Sequence, residues 1–191
     1  MQGRPMGLVG AMVPTRYVGG ALGGPPTAGT YQVGDFSIDP LGSEFVCTVA
    51  GTPGTWVEVG GHNTGTQDVA TSPAEVSAST AYGDLTTFGP SVTVTLRGSG
   101  LALVIVSASI TQPGGAGRGG LMSYDTGGGA ADANAAGFIT GASVADIMYR
   151  LERTTLDTGT PFASTTYTAK YRSVATAGAS FNDRRITVVA L

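Results

Sequence analysis

The feature that most limits what this chain can become is the two-residue period of its apolar runs. Val92-Thr93-Val94-Thr95-Leu96 alternates an aliphatic side chain with threonine, and Thr165-Thr166-Tyr167-Thr168-Ala169-Lys170-Tyr171-Arg172 alternates in the same way. Successive side chains of a strand point to opposite faces, so each such run buries one face and wets the other. Leu101 to Ile110 is β-branched and nearly continuous, which reads as a central strand covered on both sides. Leu121-Met122-Ser123-Tyr124 is a shorter candidate. In Ile147 to Arg153, Ile147, Tyr149 and Leu151 fall on one face, which favours a strand over a helical turn. Arg185-Ile186-Thr187-Val188-Val189-Ala190-Leu191 is hydrophobic enough to be expected inside a sheet or at a subunit interface. Strands of this length between glycine-rich turns predict an all-β chain, with an antiparallel β-sandwich or jelly roll over residues 74–191.

A smaller β module is expected over residues 15–59. Tyr31-Gln32-Val33, Phe36-Ser37-Ile38, Glu44 to Val49 and Thr55 to Val59 read as strands. Pro40-Leu41-Gly42-Ser43 and Gly51-Thr52-Pro53-Gly54 supply turn chemistry between them. Residues 1–14 carry no period and read as an N-terminal arm. Residues 60–73, small and polar around His62, read as a linker.

Composition excludes several function classes. The 191 residues carry only 12% charge and a net −3, with Lys170 the single lysine, so no basic stripe exists to neutralise phosphates and no nucleic-acid partner is expected. One cysteine, Cys47, cannot form an intrachain disulfide. The longest apolar run is about half of the roughly twenty residues that a spanning helix needs, so no membrane association is expected. Met6 to Val13 only imitates a signal peptide, because Gly7, Gly10 and Pro14 interrupt it. Gly127 to Ala145 is glycine- and alanine-rich and almost without charge, awkward as a solvated loop. Low charge together with such a segment points to contacts between copies, and hence to a homo-oligomer.

No constellation carries catalysis. Asp125-Thr126-Gly127 and Asp157-Thr158-Gly159 imitate the paired loops of aspartic proteases, in which two carboxylates share a proton. The copies stand too close in sequence to belong to separate lobes, and Asp-Thr-Gly is also turn chemistry, which is the reading adopted for both. His62 is the single histidine, and no Gly-x-Ser-x-Gly elbow accompanies it. One Cys and one His give no zinc set, and Asp125 with Asp132 lacks the calcium-loop ladder. Gly114 to Gly120 is followed by no Lys-Ser/Thr, so it is a turning loop and not a phosphate loop. Arg184-Arg185 beside Asp183 is expected to form a surface or inter-subunit salt bridge. Cys47 is expected to be a buried thiol, and Tyr31 and Trp56 the core of the small module. No catalytic, cofactor-binding or metal-binding residue is assigned, and no cofactor is expected.

Three stretches carry a resemblance. Arg16-Tyr17-Val18-Gly19-Gly20, then Pro26 to Phe36 with Gly29-Thr30 and Gly34-Asp35, then Cys47-Thr48-Val49-Ala50-Gly51-Thr52-Pro53-Gly54-Thr55-Trp56-Val57 together resemble a module common in bacteriophage virion proteins. The later strands resemble a tumour-necrosis-factor-like jelly roll. The resemblance implies a non-enzymatic homotrimer on the virion surface of a tailed phage, assembled in the host cytoplasm. Its N-terminal part would anchor to the major capsid protein or to tail proteins, leaving the jelly roll exposed. The sequence has no heptads, collagen-like Gly-x-y or β-helix repeat for a shaft, which favours a capsid decoration or head fibre. The alternative is a minor tail protein or tail-tip adhesin that binds a host surface receptor or glycan.

Overall fold

The computed structural model describes residues 15–20, 23–40, 42–60, 65–70, 74–111, 116–139 and 148–191. The proposed arm (1–14) and His62 lie outside them. Contacts divide the chain into two compact units, Met1–His62 and Asn63–Leu191.

The first unit is built on an antiparallel sheet of β1 (Phe36–Ile38), β2 (Glu44–Val49) and β3 (Thr55–Gly60), in that order. Residues 16–18 lie along β1: Phe36 N–H donates to the Arg16 carbonyl at 2.8 Å, and Val18 N–H donates to the Phe36 carbonyl at 2.9 Å. Alternation sorts the sheet into two faces. Ser37, Phe45 and Cys47 are buried, whereas Ile38, Val57 and Val59 stay exposed. Tyr31-Gln32-Val33, expected as a strand, forms only a single bridge from Tyr31 to Gly51. Gly34, at φ 89°, turns the chain immediately afterwards, a conformation that glycine adopts without steric penalty.

The second unit is an antiparallel β-sandwich. One sheet runs β10 (Met148–Thr158), β7 (Leu101–Thr111), β12 (Ala179–Ala190), β4 (Gly65–Ala70), with β5 (Glu75–Ser77) also paired to β12. The other runs β6 (Ser91–Thr95), β11 (Ser164–Ser173), β8 (Gly119–Asp125), β9 (Ala136–Ile139). The core lies between them, with Val104, Val106, Ile110, Phe181, Ile186 and Val188 from the first sheet against Val92, Met122, Tyr167 and Tyr171 from the second. Burial of each large aliphatic side chain contributes about 1.5–3 kcal/mol before chain entropy is subtracted.

Four expectations need correction. The stretch 60–73 is not simply a linker, because Gly65–Ala70 pairs with Arg184–Val189 as β4. Its polar Gly-Thr-Gln-Asp sequence hides the strand, yet suits a sheet edge that faces water. The expected strand 147–153 extends as far as Thr158, so Asp157-Thr158 is strand and not turn. Part of the Gly/Ala segment is accounted for within the chain: a Cβ on Gly137 would strike the Gly120 carbonyl oxygen, so glycine there permits β9 to close on β8. Finally, the Arg184 salt bridge is not on the surface. β12 bulges between Asn182 and Arg185, with Asp183 at φ 48°. Ala179 and Phe181 point inward before the bulge, and Arg184, Ile186, Val188 and Ala190 after it. The extra residue switches the inward parity and carries Arg184 into the core.

Candidate functional site

The two Asp-Thr-Gly carboxylates occupy opposite sides of a sheet. Asp125 ends β8 on the outer face, where its Oδ1 accepts the backbone N–H groups of Gly127 (2.7 Å) and Gly129 (2.8 Å). Those donors hold its pKa below the usual carboxylate range. This is the turn-capping role expected of it, with Gly127 at φ 108°. Asp157 lies on the inward side of β10, near Tyr124 and Tyr167. Tyr124 is adjacent to Asp125 but points the other way, into the core. The shared-proton pairing of an aspartic protease is therefore not formed.

Asp157 instead belongs to a polar cluster between the sheets. The phenol oxygens of Tyr124 and Tyr167 and the Oγ1 of Thr155 are buried and make no hydrogen bond among the described residues. The two rings are in contact, with centroids 5.6 Å apart. Burial first, and then the Asp157 carboxylate, push the Tyr124 phenol up to about 12 and raise Tyr167 further. A lone buried hydroxyl costs about 1–3 kcal/mol, so this cluster is a local cost to the sandwich. Chemically it offers hydroxyls and one carboxylate.

A second buried polar group joins β12 to β5. The Arg184 side chain is wholly buried and its Nη2 donates to Glu75 Oε1 at 2.9 Å. Its guanidinium lies 5.4 Å from the Tyr171 ring centroid, and Glu75 Oε2 accepts the Thr87 N–H at 2.8 Å. Burial works to raise the Glu75 pKa, but the bonds from Thr87 and Arg184 outweigh it and leave the carboxyl below its ordinary value. The arrangement ties the bulge to the segment before β6. The sequence did carry a signal for it, since Arg184 shares the parity of Ile186 and Val188. On the surface, Asp132 accepts two bonds from Arg172 (3.0 and 2.6 Å) and one from Tyr82 (2.8 Å), so it acts as a brace and not as half of a calcium loop.

In the small unit, Arg16 donates twice to Asp35 (3.1 and 2.7 Å), and Gln32 N–H donates to the same carboxylate at 2.9 Å. The Arg16 bond, followed by that of Gln32, lowers the Asp35 pKa. Tyr31 meets Trp56 edge-on at 5.0 Å, and Trp56 Nε1–H donates to the Pro53 carbonyl at 3.1 Å. Cys47 is buried, with its thiol directed at the Val49 carbonyl. A shallow hollow of about 220 Å³ lies between Val18-Gly19-Gly20, Pro26-Thr27-Ala28 and Tyr31. Among the described residues, no group of three or more His, Cys, Asp or Glu is placed to hold a metal. No helix among the described residues is long and apolar enough to cross a membrane. Of Gly114 to Gly120, residues 114–115 lie outside the described residues, Gly117 turns at φ 73°, and Gly119-Gly120 begin β8.

No family model matches the chain. No curated protein matches it. Among solved structures it is similar to Eiger TNF of S. frugiperda, at 10% identity and a TM-score of 0.35, over 63% of this chain and 94% of that one. It is also similar to dimeric latent PorU of Porphyromonas gingivalis, at 16% identity and a TM-score of 0.34, over 66% of this chain and 13% of that one.

Proposed function

We propose that this chain is a non-enzymatic structural protein of a tailed-phage virion. It forms a homotrimeric appendage that decorates or stabilises the capsid, with its small N-terminal unit anchoring and its sandwich exposed. One observation carries the reading: the residues of the virion-module resemblance are the ones that hold the small unit together. Asp35 of Gly34-Asp35 binds Arg16 and Gln32, and Cys47 and Trp56 of the second stretch lie in the unit's interior or against Tyr31. A pattern that coincides with a unit's own clasp describes a transplantable module and not scattered identities. The unit also leaves Tyr17, Ile38, Val57 and Val59 exposed, an apolar face of the kind that an anchoring contact covers. A decoration protein acts through many weak contacts spread over buried area, and it needs no reactive cleft.

Light scattering on the full chain tests the assembly. The expected mass is a multiple of three chains of 19.1 kDa, and a persistent single-chain mass at micromolar concentration would overturn the trimer. Copy number per particle tests the location. Hundreds of copies are expected for a capsid decoration, whereas a few to tens would transfer the protein to the tail, as a tail-tip adhesin.

A further inference from the structure

Among the described residues β10 is the outermost strand of its sheet and pairs with β7 alone, in unbroken register from Met148↔Thr111 to Thr158↔Leu101. It is 11 residues long, about twice the usual strand, and its other edge has no strand partner among the described residues. Protective devices are sparse: the strand has no proline, no glycine and no bulge. Apolar side chains stand exposed on both of its faces, Met148 (60%) and Leu156 (57%) on one and Tyr149 (40%) on the other. Of its four charged residues Arg150, Glu152 and Arg153 are exposed and Asp157 is half-buried on the inward side, and Arg150 and Glu152 make no ion pair among the described residues. Such an edge is either a liability or an interface.

The charge order points to one occupant. We propose that β10 pairs antiparallel with β10 of a second copy of this chain, about a two-fold axis at Leu151. Opposed residues then share a face, and Arg150 stands across from Glu152 of the second copy. The symmetry repeats that pair on the other side of the axis. Tyr149 falls across from Arg153, which suits a cation over an aromatic face. Neighbouring registers are disfavoured by the same side chains: an axis at Arg150 or Arg153 opposes two arginines, and one at Glu152 opposes two glutamates. The sequence therefore selects one register out of several that the bare backbone would permit. This contact is two-fold, and it does not depend on the three-fold assembly proposed above.

Charge reversal on the full-length chain tests it. Sedimentation and light scattering are run at low ionic strength on the native sequence, Arg150→Glu, Glu152→Arg and the double exchange. The native protein is expected at an even multiple of the 19.1 kDa chain. Each single reversal turns two attractive pairs into two repulsive ones and weakens association by about tenfold or more, and the double exchange restores it. All three variants are readable, because these side chains are exposed and circular dichroism should be unchanged. A native mass of one or three chains would overturn the pairing, as would single reversals without effect or a double exchange no better than either single. Two chains would support this contact while removing the trimer, three would do the opposite, and six would support both.

Discussion

The two units solve the same problem in opposite ways. The sandwich closes an apolar core between two sheets, and its buried polar groups are spread among the Arg184–Glu75 pair, the hydroxyls around Asp157 and serines such as Ser107, Ser109, Ser123 and Ser173. The small unit has too few residues for a closed core. It buries Phe45 and Cys47 on one side of a three-stranded sheet and leaves Ile38, Val57 and Val59 exposed on the other. A polar clasp compensates, with Asp35 accepting three bonds that tie residues 16 and 32 to the strand pair. The lesson is that stability in the first unit is concentrated in a few side chains, whereas in the second it is distributed. The consequences of mutation should differ accordingly, and Trp56, the single tryptophan, allows the small unit to be followed separately.

The largest effect is expected from Phe45→Ala. Phe45 is 1% exposed, and its removal costs about 3–5 kcal/mol in transfer and cavity energy. That is comparable with the whole stability of a unit this small. Trp56 fluorescence should report an unfolded first unit under native conditions, while tyrosine circular dichroism still shows a cooperative transition of the sandwich. A joint loss of both signals would show that the units fold as one, and the contrast drawn between them would be wrong.

Glu75→Gln should come next. Glutamine keeps the shape but leaves the Arg184 guanidinium buried without its counter-charge, a loss of about 3–5 kcal/mol. The sandwich has the reserve to remain folded, so its Tm should fall by about 10 °C or more while the Trp56 transition does not move. Calorimetry together with fluorescence separates the two.

These positions also show what the sequence made legible. The strands β6 and β11 were visible because alternation in them coincides with burial on one face, and β7 and β12 because their apolar runs are nearly continuous. Asp125 was readable as a turn cap because its glycines follow at once. β4 was not visible, since Gly65-Thr66-Gln67-Asp68 has no apolar period and becomes a strand only because β12 offers it a partner. The Arg184–Glu75 pair spans residues far apart in sequence and depends on a bulge, and one-dimensional periodicity represents neither. The polar cluster at Asp157 was misread as a turn for a related reason. The same tripeptide that caps β8 at Asp125 has its first two residues, Asp157 and Thr158, drawn into β10 by pairing with β7.

Acid should separate the units again, more gently. Asp35 in the first unit, and Asp125, Asp132 and Glu75 in the second, all have pKa values lowered in the folded state. A lowered folded pKa means stability that is complete above the unfolded carboxylate value of about 4 and is lost as pH falls through the folded value. The first unit depends on Asp35 for its clasp, so the Trp56 signal should change at a higher pH than the tyrosine signal of the sandwich. Coincident acid transitions would argue against a clasp concentrated in one carboxylate.

The smallest effect concerns the hydroxyls between the sheets, and its sign is informative. Tyr167→Phe keeps the ring that packs against Tyr124 and deletes only an oxygen that has no hydrogen-bond partner among the described residues. Deleting a buried, unpartnered hydroxyl removes a desolvation cost and leaves no new group unsatisfied, so stability should rise by up to about 1 kcal/mol. Chemical denaturation followed by tyrosine circular dichroism resolves a change of that size when the denaturant slope is unchanged. A fall in stability would mean that the phenol is satisfied in solution, by Asp157 after a small side-chain movement or by a bound water. The cluster would then count among the distributed supports of the sandwich and not as a polar defect in its core.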